Sequence, residues 1–135
     1  MPMIPHPTSF GVFKPVHHVL MSFATAAQSG AAELALHSAG FDSADIIRYT
    51  PEEMQAQAEG DIHNADALAG LGSELDMVKA QLGLALLGQS FLIVKAPEDK
   101  QIERVTEVAV TFHATRAQRY GTLMIEELVP AVNYH

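Results

Sequence analysis

Two adjacent histidines, His17 and His18, open the apolar run "KPVHHVLMSF" in a chain of 135 residues without cysteine. Imidazoles in such a place offer metal ligation or general-base catalysis. Further along, "FHATRAQRY" gathers His113, Arg116, Arg119 and Tyr120, and the Arg-Tyr dipeptide has an earlier counterpart in Arg48-Tyr49. Guanidinium groups at that density suit an anionic ligand. "EGDIHNAD", with Glu59, Asp61, His63 and Asp66, mixes oxygen and nitrogen ligands.

Each set has a plainer reading. Neighbouring residues on a strand point to opposite faces, so His17 and His18 on a strand do not hold one metal together. Pro15 then marks a strand entrance, with one ring partly buried and the other near solvent. "EGDIHNAD" matches no calcium-loop template and lacks a second histidine, which makes it a solvated helix junction. "GLG" at 70–72 lacks the lysine of a phosphate loop and reads as a helix break. No Gly-x-Ser-x-Gly motif is present. Cations near a helix C-terminus complement the helix dipole, and Arg48 and Arg119 are expected in salt bridges within the chain. The competing reading makes His18, Arg48, Tyr49, His113, Arg116, Arg119 and Tyr120 a site for a small anionic ligand. No catalytic residue, metal or cofactor is assigned.

The elements that must position these side chains come from a repeated pattern. Residues 18–50 and 90–122 each open with an apolar run, "VLMSF" or "FLIV". Each continues into a helical pattern, crosses a turn and closes on Arg-Tyr, which suggests two copies of one β-α-β unit. Thr25 and Gln28 form the first helix's capping pattern, and Gly40 followed by Phe41 its stop. Ala27, Ala31, Leu34 and Ser38 are its expected core stripe. In the second copy Ile102, Val105, Ala109 and Phe112 share one helical face. "TPEE" at 50–53 starts another helix, expected to end near Gly60. Ser73 with Asp76 caps a further one, whose stripe is Leu75, Val78, Leu82 and Leu86 and whose stop is Gly88.

The chain therefore reads as one α+β domain. A flexible N-terminal arm covers 1–12, the first β-α-β unit 16–50, a helical insertion 51–88 and the second unit 89–128. The expected architecture is a ferredoxin-like split β-α-β fold, a four-stranded antiparallel sheet with the first strand of each copy central and the last at an edge. "VLMSF" and "FLIV" are apolar at nearly every position, so both faces of the sheet require cover. Two helices supply one cover. The insertion or a second subunit supplies the other, and a homodimer is expected.

Composition narrows the function. A net charge of −8 argues against a nucleic-acid partner, because phosphate affinity rests on clustered Lys and Arg. Nine Asp or Glu lie between Asp42 and Asp76 against the single base Arg48, as on a solvated surface. The absence of cysteine excludes disulfides and thiolate chemistry. The proline-containing start "MPMIPHPTSF" does not read as a signal peptide, and no apolar run approaches the ~20 residues of a spanning helix. A cytoplasmic protein without membrane contact is expected.

"GVFKPVHHVLMSF", "AGFDSADIIRYTPEEM", "FLIVKAPEDKQIERV" and "RAQRYGTLMIEEL" together resemble small bacterial proteins related to the general-stress (heat-induced stress) domain family. The resemblance spans about residues 10 to 129 and implies an α+β domain with a link to stress responses, without catalytic residues to carry over. The leading expectation is a non-enzymatic, homo-oligomeric protein with a stress-related or regulatory role. A small-molecule sensor, similar in architecture to amino-acid-binding regulatory domains, is the second. A histidine-dependent enzyme of dimeric ferredoxin-like type, using His17, His18 or His113, is the third.

Overall fold

The two most apolar runs become adjacent inner strands, and everything else is arranged to keep water off them. The computed structural model describes residues 8–9, 12–13, 16–66, 72–121 and 124–129. In chain order these form β1 (Thr8–Ser9), β2 (Val12–Phe13), β3 (His18–Phe23), α1 (Ala26–Ser38), β4 (Ile46–Tyr49) and α2 (Pro51–Asp66). There follow α3 (Gly72–Leu86), β5 (Ser90–Lys95), α4 (Asp99–Thr111), β6 (Arg116–Tyr120) and β7 (Ile125–Glu127).

Five strands make one antiparallel sheet in the order β4-β5-β3-β6-β7. β3 and β5 pair in register from His18 opposite Lys95 to Phe23 opposite Ser90. The expected four-strand sheet is thus one strand short. "AQRYGTLMIEE" reads as a single edge strand, but the chain turns at Gly121, whose N–H donates to the Met124 carbonyl at 2.9 Å. It returns as β7, so β6 is interior and the edge falls to the charged Glu126 and Glu127, which discourage further strand pairing. At the end of the expected arm, and one residue past it at Phe13, β1 pairs with β2 as a small antiparallel hairpin. The rest of the arm lies outside the described residues.

Side chains alternate between two cores. Val19, Met21, Phe23, Leu92, Val94 and Ala117 face one side and pack under α1 and α4 with Leu36, Ile102 and Val105. Leu20, Phe91, Ile93, Tyr49 and Tyr120 face the other and meet Met54 of α2 and Ala85 of α3. The helical insertion therefore covers the second face within a single chain, and Leu20 is 3% exposed. The open face from which a homodimer was expected does not exist.

Local signals hold at the caps. Thr25 Oγ1 accepts from Gln28 N at 3.1 Å, and Gly40, at φ +103°, ends α1 while Phe41 N reaches back to the Leu36 carbonyl. At α2, Thr50 Oγ1 accepts from Glu53 N at 3.1 Å and Glu53 Oε1 accepts from Thr50 N at 2.9 Å. Thr50→Ala is expected to cost about 1 kcal/mol in urea denaturation, with Thr50→Ser close to neutral.

Helix faces and ends depart from the expected pattern in three places. On α1 the buried residues are Ser29, Ala32 and Leu36, whereas Ala27 and Ser38 are exposed, Ala31 is half-buried and Leu34 is 70% exposed. The helix is alanine-rich, so its hydrophobic pattern scarcely distinguishes one face from another. Leu34 and Leu36 lie about 200° apart on a helix, and the sheet accepts Leu36. Second, α2 runs through Gly60 to Asp66. Gly60 has no positive φ that would turn the chain, and Ala58 and Ile62 on either side pack against Val78 and Leu82 of α3. Third, α3 begins at Gly72, which puts Ser73 inside its first turn, and Leu86 is 63% exposed while Ala85 faces the sheet. The Leu75 side chain lies outside the described residues.

Candidate functional site

Strand alternation splits both Arg-Tyr pairs across the sheet. Arg48 Nη2 donates to Glu33 of α1 at 2.7 Å, and Arg119 Nη2 donates to Asp99 of α4 at 3.2 Å. Tyr49 and Tyr120 point the opposite way, into the core beneath α2 and α3, each 3% exposed. Burial, aided by Glu53 and Asp61, pushes the Tyr49 phenol up to about 12. Burial raises Tyr120 further, although Arg116 and a hydrogen bond from Gln81 Nε2 at 2.6 Å act against it. The pairs occupy β4 and β6 with β5 and β3 between them. That separates them by about 14 Å, too far to grip one small ligand.

The histidines are dispersed as well. His18 Nδ1 lies 2.8 Å from the Val16 carbonyl, and His18 stands opposite Tyr120 in the β3–β6 register. His113 is exposed in the turn after α4, at φ +57°. It lies beyond the Arg116 end of β6, whereas His17 is held at the Tyr120 end. The "EGDIHNAD" residues belong to helix α2 rather than to a junction: Glu59 and His63 are exposed, while Asp61 is 2% exposed and accepts from Gln57 at 2.9 Å. One of the supposed surface acids is therefore interior. Among the described residues no group of three His, Asp or Glu side chains is placed to hold a metal ion. No helix there is long and apolar enough to cross a membrane.

Arg116 projects to the α3 side, where its Nη2 and Gln118 Nε2 both donate to Glu127 Oε1 at 2.8 Å. With Ser22 and Gln81 they border a cavity of about 10 Å³. Such a space accommodates one water molecule. Its small size suits a structural role.

A larger recess lies at the other end of β6. It measures about 340 Å³ and is lined by the polar groups His17, Arg119 and Glu126 and by the apolar Ala96, Pro97 and Met124. That size lies within the range of small-molecule sites. His17 enters it from a left-handed turn, at φ +65°, a conformation uncommon outside glycine. Two hydrogen bonds hold it there: its N–H donates to the Tyr120 carbonyl at 2.8 Å, and its carbonyl accepts from Ala96 N at 3.0 Å. The backbone is thus clamped between β6 and the end of β5, and the ring is exposed. Strain retained in this way is typical of functional positions.

Arg119 is the cation of the recess. Asp99, 91% exposed, lies 3.2 Å from it, and Glu126 lies 4.0 Å away. Solvent-exposed pairs of this kind contribute about 1 kcal/mol or less, so a ligand can exchange for the Asp99 carboxylate. Of the seven residues expected to form an anionic-ligand site, Arg119 and Tyr120 border the recess; His18, Arg48, Tyr49, His113 and Arg116 do not. His17, rather than His18, completes it, with Glu126. No local pattern marks Glu126, because its place follows from the turn at Gly121. Protein-family models, curated proteins and solved structures were all compared with the chain, and none matches it.

Proposed function

We propose that the protein is a non-enzymatic regulatory protein that binds a small metabolite bearing an acidic group, in the recess between His17 and Arg119. The observation that carries this reading is the meeting of an exposed imidazole, presented from a left-handed backbone, with an exchangeable guanidinium in a cavity of about 340 Å³. A guanidinium fork matches the geometry of a carboxylate or phosphate, and the apolar wall shields the contact from water. The chain order β3-α1-β4 and β5-α4-β6, with strands ordered β4-β5-β3-β6, supports reading the central sheet as a ferredoxin-like split β-α-β unit. On that reading β7 and the α2–α3 pair are additions. A stress-related setting is proposed from the family resemblance alone.

The test is calorimetric titration and thermal shift with short carboxylates, amino acids and phosphate esters. A ligand at a hundred times its Kd raises stability by about 2.7 kcal/mol. Arg119→Gln is expected to abolish that gain, and Arg48→Gln, at the equivalent place on β4, to leave it intact. A ligand equally well bound by Arg119→Gln, or no ligand in any class, overturns the proposal.

An enzymatic reading retains one histidine, because His17 alone of His17, His18 and His113 borders the recess. Turnover of a bound ligand by the wild type, lost in His17→Gln, would replace the binding role by a catalytic one.

A further inference from the structure

Resting on the binding role above, we infer that the ligand is a zwitterion of the α-amino-acid class, with its carboxylate on Arg119 and its ammonium on Glu126. The inference comes from the charges of the recess. Arg119 and Glu126 are direct cross-strand partners on β6 and β7, and both line the same cavity. Their closest approach is 4.0 Å, the outer limit of an ion pair, and both side chains remain partly exposed at 32% and 54%. The guanidinium and the carboxylate are thus near one another without closing into a bidentate pair. A molecule carrying both charges on neighbouring atoms satisfies both.

A purely anionic ligand meets an unfavourable balance. Arg119 is flanked by Asp99 at 3.2 Å and Glu126 at 4.0 Å, two carboxylates around one cation. Asp99 is almost fully exposed and swings away at little cost, but Glu126 sits on a strand and stays in the wall. An added carboxylate beside it is repelled unless the ligand brings a positive charge of its own. A simple amine meets the converse obstacle at Arg119. Discrimination then runs both ways, by attraction to one group and repulsion by the other.

The rest of the lining sets the side chain. Ala96, Pro97 and Met124 give an apolar wall, with the His17 ring beside it. An uncharged amino acid of moderate size fits a volume of about 340 Å³ with its side chain against that wall.

Calorimetric titration of the full chain tests this with leucine, methionine, serine and glutamine, each beside its deaminated acid and decarboxylated amine. For leucine these are 4-methylpentanoate and 3-methylbutylamine. At least one amino acid is expected to bind tenfold or more tightly than either relative. Glu126→Gln should weaken the amino acid tenfold while leaving the deaminated acid unchanged or tighter. The substituted Glu126 side chain is partly exposed, and a thermal melt of the variant verifies that the fold is kept. Equal binding of the acid and its amino acid, or an unaltered affinity in Glu126→Gln, overturns the zwitterion and leaves an acidic ligand standing. Binding by no amino acid also overturns it; if every carboxylate and phosphate ester fails too, the binding role falls with it.

Discussion

Truncation of Phe91 to alanine is expected to destabilise the protein by about 3–5 kcal/mol, as much as truncation of Phe23 on the opposite face of the sheet. Phe91 is 1% exposed and Phe23 is 0% exposed, and each is a large member of its own core. A loss of that size is a substantial fraction of the ~5–15 kcal/mol available to a domain, and lowers Tm by roughly 10–20 °C. The comparison probes what the insertion does. If α2 and α3 complete the second core within one chain, both variants shift the urea midpoint alike, at any protein concentration. Were the second face instead an association surface, Phe91→Ala would change the concentration dependence of unfolding and leave the monomer's stability near that of the wild type. That outcome would refute the layered architecture.

Alkaline pH should weaken the same core. Tyr49 is pushed up to about 12 and Tyr120 is also raised, from an ordinary value near 10, chiefly by burial. The folded state therefore keeps phenolic protons that the unfolded chain gives up. Stability is fully present below about pH 10 and falls as the pH rises through the folded values, by up to about 1.4 kcal/mol per pH unit for each tyrosine. Urea denaturation across this range, with phenolate absorbance recorded in parallel, should show two tyrosines ionising only as the protein unfolds. Tyr49→Phe should flatten the decline. A stability that is level to about pH 12 would show the phenols to be hydrated, against their placement beneath α2 and α3.

The caps were legible because they are decided within four residues. "TPEE" supplies a hydroxyl, a proline and a carboxylate at the spacing the first helical turn requires, and the hydrogen bonds between Thr50 and Glu53 form without help from elsewhere. The α4 stripe was legible for a related reason: Ile102, Val105 and Ala109 recur at helical spacing, with charged residues on the intervening positions of the first turns. On α1 the same reasoning misplaces the stripe, since alanine marks no side and only packing on the sheet chooses Leu36 over Leu34. Gly60 misleads because glycine at an ordinary helical φ is tolerated wherever a neighbouring helix binds both sides of it.

By itself the sequence determined an α+β chain whose inner strands are apolar on both faces, and the places where helices α1 and α2 begin. These follow from side-chain periodicity and short-range hydrogen bonding, which each segment carries with it. Only the tertiary structure decided that the insertion, rather than a second subunit, covers the second face, and that a fifth strand continues the sheet past β6. It alone decided the recess too. His17, the Ala96–Pro97 segment and the Arg119–Glu126 hairpin are far apart in the chain, and they meet because a hydrogen bond donated to the Tyr120 carbonyl and one accepted from Ala96 N–H hold His17 in a backbone conformation that its neighbours in sequence do not prescribe.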